Sequence, residues 1–295
     1  MDMFLQFLVT GIMLGGVYGL VALGLVIIYK SSGVLNLAHG AFMLVMAMLA
    51  WTLADGMGLP MWLSIVAVLA VSVVLGYGVE RVILRPLIGQ PILATIIVTL
   101  ALGFFLEGVA IMSWGGDIVS YQKFLPREPF TWGPVIIPQA YVWSFLVAIA
   151  LFILLLVFFR YTKYGLAMQM VSEDHQVARS LGVNVRTVFA QTWILAVMMA
   201  AFAGILYGSL HPLSMEMTHL GLVKAIPVVL LGGMNSLAGA LVGGLIIGVA
   251  EVVGAGYIDP IIGGGFKDVV PLILMLLILL IKPYGLFGWV RIERI

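Results

Sequence analysis

The stretch RYTKYGLAMQMVSEDHQVARSLGVNVR, residues 160–186, separates two apolar runs, 139–159 before it and 188–210 after it. Each run has about the 20 residues that an α-helix needs to cross the hydrocarbon core of a bilayer. Backbone N–H and C=O groups in lipid must be satisfied within their own segment, so runs of this length read as membrane-spanning helices. The polar stretch, 160–187, is then a solvated loop on one side of the membrane. Its middle, 171–182, has the spacing of a short amphipathic helix. Val171, Ala178 and Leu181 fall on one side, and Glu173, Asp174 and Arg179 largely elsewhere. A solvated helix joining two spans has the form of a docking element.

The rest of the chain fits this reading. Of its 295 residues 63% are hydrophobic and 9% charged, where a soluble domain is about a quarter charged. Mean hydropathy is +1.21. This is the composition of a single polytopic membrane domain over residues 1–295, lying in a lipid bilayer. Apolar runs occur at 4–28, 34–54, 60–79, 88–114, 139–159, 188–210, 220–234, 237–253 and 269–281. The expected fold is therefore an all-α polytopic membrane protein with about 8–9 transmembrane helices. The first run has no basic flank before it and is too long for the core of a signal peptide, so it reads as an uncleaved span.

Orientation follows from where Lys and Arg fall, because cytoplasmic loops carry their excess. Lys30, Arg81 with Arg85, Arg160 with Lys163, Arg179 with Arg186, and the tail Lys282, Arg291 and Arg294 share one side in a single orientation. It puts the amino terminus outside, the carboxyl terminus inside and the 160–187 loop in the cytoplasm. The 113–138 loop is then external, with Lys123 and Arg127 matched by Asp117 and Glu128.

Two regions interrupt the apolar runs. KSSGVLNLAHG at 30–40 breaks the first half; Pro227, GGMNSLAG at 232–239 and the glycine pair 243–244 punctuate the second. Broken or re-entrant helices are expected there. Paired interruptions in two halves point to a transport pathway, and the likeness of NLAHG to NSLAG suggests an internal repeat. Polarity within these apolar surroundings selects Asn36, His39, Ser214, Asn235 and Ser236 as candidate pathway residues. Asn36 also suits a helix cap, and a structural hydrogen bond is the default for His39.

Several function classes are excluded. A net charge of +1 offers no basic face for nucleic acid. There are no cysteines, and the four histidines are scattered, so no metal site and no cofactor are expected. No phosphate loop, nucleophile elbow or HExxH pair occurs, which argues against an enzyme. Glu107, Lys224 and Glu251 lie within apolar runs and read as snorkelling groups or local pairs. Glycines four apart, Gly11, Gly15 and Gly19, Gly204 and Gly208, Gly239 and Gly243, read as close helix packing.

Four stretches together carry a family resemblance: GGVYGLVALGLVIIYKSSGVLNLAHG at 15–40, YGLAMQMVSEDHQVARSLGVNV at 164–185, AFAGILYG at 201–208 and LLGGMNSLAGALVGGLIIGVAE at 230–251. The chain resembles the permease subunits of branched-chain amino acid ABC importers, the Liv or HAAT group, and most of all the first of their two permeases. The resemblance implies a bacterial inner-membrane assembly that includes a second related permease and two cytoplasmic ABC ATPase subunits. A soluble periplasmic or extracellular substrate-binding protein completes it. ATP hydrolysis then belongs to a separate subunit, and this chain supplies half of the passage for branched-chain or related amino acids.

The resemblance also implies a coupling helix with an EAAxxxG-like pattern. The matching register is Gln176-Val177-Ala178-Arg179-Ser180-Leu181-Gly182, in which only Ala178 and Gly182 agree. Glu173, Asp174, Gln176, Ala178, Arg179 and Gly182 are the expected coupling residues. After His39-Gly40, where relatives often carry glutamate, this chain has Ala41. The alternative is an ion-coupled secondary transporter of a small polar solute, suggested by the broken segments and distinguished by its independence of ATP.

Overall fold

The computed structural model describes residues 2–121, 125, 128–132 and 135–288. Lys123, Arg127, Arg291 and Arg294, used above for orientation, lie outside the described residues. Helix α1, Asp2–Ser32, is the post around which the bundle is built. Its 31 residues run for about 46 Å at 1.5 Å each. From Val17 to Ile28 it is buried on every face, as expected of a helix that is apolar all round.

Helix α11, Leu237–Ile262, packs antiparallel on α1. The approach is close enough that only glycine fits. A Cβ at Gly15 would stand 2.6 Å from the Gly244 carbonyl oxygen, and one at Gly248 would stand 2.5 Å from that of Gly11. The glycine ladder expected in the first segment thus forms the central helix contact. Lipid tails give helices no hydrophobic reason to associate, so contact at backbone distance takes over that role.

Helices α2, His39–Trp51, α3, Met61–Val79, α4, Ile92–Trp114, and α5, Gln139–Tyr161, follow α1. After the 160–187 loop, α8, Val185–Leu210, returns between α1, α2 and α3. Helix α12, Phe266–Ile281, packs on α11. Trp62, Val74, Phe104, Phe105 and Leu154 stand exposed on α3, α4 and α5, an apolar belt suited to lipid. Among the described residues seven helices are long and apolar enough to span, with Met217–Gly232 a shorter eighth. The run expected at 237–253 continues as helix to Ile262.

The two ends of the bundle differ. At one end a cleft gathers Lys30, Val171, Leu230, Asn235 and Tyr284, and a second cavity gathers Ser32, Leu84, Ile92 and Phe189. This is the loop end. At the other end an antiparallel hairpin, Pro129–Trp132 with Val135–Pro138, is tied to α1 by Ile136 N–H donating to Gln6 Oε1 at 2.8 Å.

Both interruptions are real and they meet. Helix α1 closes at Gly33, whose φ of +70° suits glycine. Asn36 Oδ1 accepts from Ala38 N–H at 3.0 Å and turns the chain back inward. Helix α2 begins level with Gly24, where an added Cβ would sit 2.9 Å from His39 Nε2. That level is roughly 12 Å short of the end of α1, so 33–38 re-enters the bundle. The second break comprises α9, Met217–Leu220, a π-turn, Gly221–Ala225, and α10, Ile226–Gly232. Pro227 lacks the N–H that the Val223 carbonyl would receive, and the widened turn absorbs the mismatch. A Cβ at Gly221 would lie 2.6 Å from Gly40 N. The interruption that touches 36–40 is therefore 217–221, whereas Asn235 and Ser236 of NSLAG stand at the loop end.

Candidate functional site

The loop folds as two helices rather than the one expected over 171–182. Helix α6, Lys163–Glu173, starts where Thr162 Oγ1 accepts from Gly165 N–H at 3.0 Å. It lies close against the end of α5: a Cβ at Gly165 would be 2.5 Å from Phe159 Cα, and Gln169 Nε2 donates to the Phe159 carbonyl at 2.9 Å. At Asp174 the backbone is extended, with φ −156° and ψ 121°. Its Oδ1 accepts from Gln176 N–H at 2.6 Å and Val177 N–H at 3.1 Å. A carboxylate that bonds the backbone two and three residues ahead ends one helix and caps the next. The new helix, α7, is His175–Ser180.

Helix α7 ends at Gly182, φ +83°. Gly182 N–H donates to the Arg179 carbonyl and Val183 N–H to the Ala178 carbonyl, each at 3.0 Å. This paired closure needs a left-handed residue at its turn, the position glycine fills. Asn184 Oδ1 then caps α8, accepting from Arg186 N–H at 3.1 Å.

The expected faces of the loop need correction. Val171 and Ala178 are both 0% exposed, but Leu181, assigned to their side, is 64% exposed. Ala178 faces inward and seats α7 against the bundle; it has no surface to offer a partner. The outward apolar pair is Val177, 55% exposed, with Leu181, one helical turn apart. Glu173, Asp174, Gln176 and Arg179 are exposed around them. The pair was readable as apolar residues four apart, but assigning the register to Ala178 hid it.

The candidate pathway residues occupy three levels. Asn36 and His39 are buried, 3% and 1% exposed, beside the meeting of the two breaks. Neither His39 ring nitrogen makes a well-formed hydrogen bond, and the ring faces the backbone of Val21. Ser214 lies toward the hairpin end, where its carbonyl accepts from Met217 N–H at 3.0 Å. Ser236 Oγ caps α11 by accepting from Gly239 N–H at 2.9 Å. Asn235 lines a cleft of about 680 Å³ with Lys30, Glu173 and Asp174. Loop residues thus share one opening with Leu230 of the second break and with Asn235 just after it.

Lys224 and Glu251 are not snorkelling groups. Lys224 Nζ lies 3.1 Å from Glu251 Oε2 and 3.1 Å from Asp268 Oδ1. It also donates to the Lys267 carbonyl at 2.8 Å, while Tyr18 O–H donates to Glu251 Oε1 at 3.1 Å. The cluster ties the broken helix to α1, α11 and α12, which is the local-pair reading. Nearby, His211 stacks on Tyr207 with ring centroids 4.6 Å apart. Burial, reinforced by the Lys267 charge, holds its imidazole below the ordinary histidine range. A second ion pair, buried on its acidic side, was missed in the sequence: Glu80, 1% exposed, receives Arg85 Nε at 3.1 Å and Nη2 at 2.8 Å. Their spacing of five residues is unremarkable in a regular helix and becomes a contact through the π-turn Glu80–Leu84. Among the described residues no three His, Asp or Glu side chains gather to hold a metal.

Comparison with known proteins follows the same line. The family model described as branched-chain amino acid transport system / permease component matches residues 7–279. The chain is similar to the high-affinity branched-chain amino acid transport system permease protein BraD of Pseudomonas aeruginosa, 32% identical, covering 99% of this chain and 98% of BraD. It is 31% identical to the corresponding permease protein LivH of Escherichia coli, again over 99% of this chain and 98% of the relative. The probable branched-chain amino acid transport permease protein LivH of Methanocaldococcus jannaschii is 29% identical over 94% of this chain and 90% of its own length.

Proposed function

The chain belongs to the permease components of branched-chain amino acid transport systems, and from that premise we propose that it forms half of the passage of an ATP-driven importer. It is a membrane transport subunit and not an enzyme. The cargo in this reading is a branched-chain or closely related amino acid, as the names of the relatives suggest. The other half of the passage comes from a second related permease. Two cytoplasmic ABC ATPases supply the energy, and a soluble binding protein delivers substrate at the hairpin end.

The observation that carries this reading is α7, a helix of 6 residues capped at both ends and seated by Ala178. It holds Val177 and Leu181 outward at the loop end. Isolated helices of this length are unstable in water, so its caps and its buried Ala178 make it a rigid knob. A rigid knob transmits the approach of two ATPases to α6, α8 and the helices behind them. Glu173, Asp174, Gln176, Arg179 and Gly182 surround or shape that contact, and Asn36, His39, Ser214, Asn235 and Ser236 are the proposed polar lining of the route.

For orientation, the reading places the loop end in the cytoplasm, the amino terminus outside and the carboxyl terminus inside. What supports it is the gathering of Lys30, Arg85, Arg160, Lys163, Arg186 and Lys282 at helix ends of that side. The deciding experiment is uptake of radiolabelled leucine by proteoliposomes holding the purified complex. Uptake that needs ATP and ignores ion gradients supports the proposal. Uptake that survives removal of ATP and collapses with an ion gradient replaces it with the ion-coupled transporter.

A further inference from the structure

A cavity of about 160 Å³ lies at the loop end between the end of α1, the 33–38 turn, the end of α3 and the start of α4. It is larger than a packing void, since a water takes about 30 Å³, and smaller than the roughly 300–1,000 Å³ of drug-sized sites. Ile28, Leu84 and Trp193 give it apolar walls, and Asn36, Glu80 and Arg85 give it a polar side.

The polar side holds an unpaired donor beside an ion pair. Asn36 Oδ1 accepts from Ala38 N–H at 3.0 Å, which fixes the amide so that Nδ2 is its donor. That nitrogen is buried and no described group accepts from it. A buried donor left unpaired is costly, so a site that retains one is shaped for an acceptor brought from outside. Each Glu80 carboxylate oxygen accepts one bond from Arg85, from Nε or Nη2, and Nη1 makes no hydrogen bond among the described residues. Thr99 Oγ1 is spent, donating to the Ile96 carbonyl at 2.9 Å and accepting from Leu37 N–H at 3.3 Å. An amide N–H and a guanidinium edge facing an aliphatic wall describe a receptor for an anionic acceptor on a small apolar body.

We propose that this cavity binds a small aliphatic carboxylate, with its head on Asn36 Nδ2 and Arg85 and its branched chain against Ile28, Leu84 and Trp193. The amino acid released at the loop end belongs to that class, an identification that rests on the transport reading above. The site is then a product-side site, built where the re-entrant turn meets the end of α3.

The test is equilibrium binding of tritiated 4-methylpentanoate to the purified complex in nanodiscs, without nucleotide or binding protein. L-Leucine competes and L-leucinamide, which lacks the carboxylate, does not. Binding weakens about 10-fold or more in Asn36→Ser, whose hydroxyl still accepts from Ala38 N–H, and in the double variant Glu80→Gln/Arg85→Gln, which strands no charge. Leu84→Phe fills the cavity without touching a polar group and gives the same loss, so a folding defect at the polar positions does not decide the matter. Wild-type binding by all three variants overturns the proposal, as does equal competition by the amide. A fatty acid or phospholipid that mass spectrometry finds bound in the cavity and that leucine does not displace also overturns it. ATP-driven leucine uptake in the same preparation separates the two readings. Uptake without carboxylate binding defeats this site alone, and binding without ATP-driven uptake defeats the transport reading alone.

Discussion

Lys224→Met removes one partner from a charge pair whose side chains are 7% and 9% exposed. The expected effect is large because the remaining Glu251 carboxylate has no water to turn to. Breaking a buried pair from one side costs about 3–5 kcal/mol. The second contact adds little, since the Asp268 side chain is 57% exposed and a surface pair contributes about 0–1 kcal/mol. A loss of that size corresponds to a fall in apparent melting temperature on the order of 10 °C, readable by the elution of detergent-solubilised protein after heating. Adding Glu251→Gln, which still accepts from Tyr18 O–H, restores most of the loss, with a coupling of about 2 kcal/mol or more. Asp268→Asn alone moves the midpoint by about 2 °C or less. If Lys224→Met melts within about 2 °C of the wild type, or if the double variant is as unstable as the two single losses summed, the pair does not hold the broken helix in place.

Gly15→Leu forces apart two backbones, because even its Cβ would meet the Gly244 carbonyl oxygen at 2.6 Å; the yield of monodisperse protein should fall severely, while Gly108→Ala, with nothing within 4 Å of the added carbon, should be neutral or stabilising by up to about 1 kcal/mol. Val177→Glu with Leu181→Glu should leave yield and melting unchanged and abolish copurification of the ATPase subunits and substrate-stimulated hydrolysis, whereas Ala178→Arg, at a position 0% exposed, should lower the melting point before docking is tested. Burial depresses the His211 pKa, so the unfolded chain takes up a proton there near the ordinary value of about 6.5 while the folded chain resists. Stability is therefore present above that range and is lost as pH falls through it. His211→Gln should flatten part of the decline in melting temperature between about pH 7 and 5, and an unchanged slope would refute this.

Much of the fold was legible because the bilayer is a demanding solvent. Length and apolarity of a run decide whether it spans, and Lys and Arg decide which ends share a side, so α1, α5, α8 and the 160–187 loop followed from composition and spacing alone. The glycine ladder at Gly11, Gly15 and Gly19 announced close packing, although nothing in its spacing named α11 as the partner. The loop was harder. Asp174 has the same place in the sequence whether it lies inside a helix or caps one, and only its bonds to Gln176 N–H and Val177 N–H show that it divides 160–187 into α6 and α7. That division turned Ala178 inward and Leu181 outward, against the single-helix register.

The sequence by itself determined a polytopic all-α membrane protein and its family, because each depends on local quantities: hydropathy along a run and motifs read in order. Only the tertiary structure decided which polar groups meet. Lys224 found Glu251 and Asp268, Glu80 found Arg85 through a π-turn, and Gly40 met Gly221 rather than the NSLAG segment. Those pairings depend on helix register and crossing, set by packing between segments distant in sequence, and no periodicity within one segment contains that information.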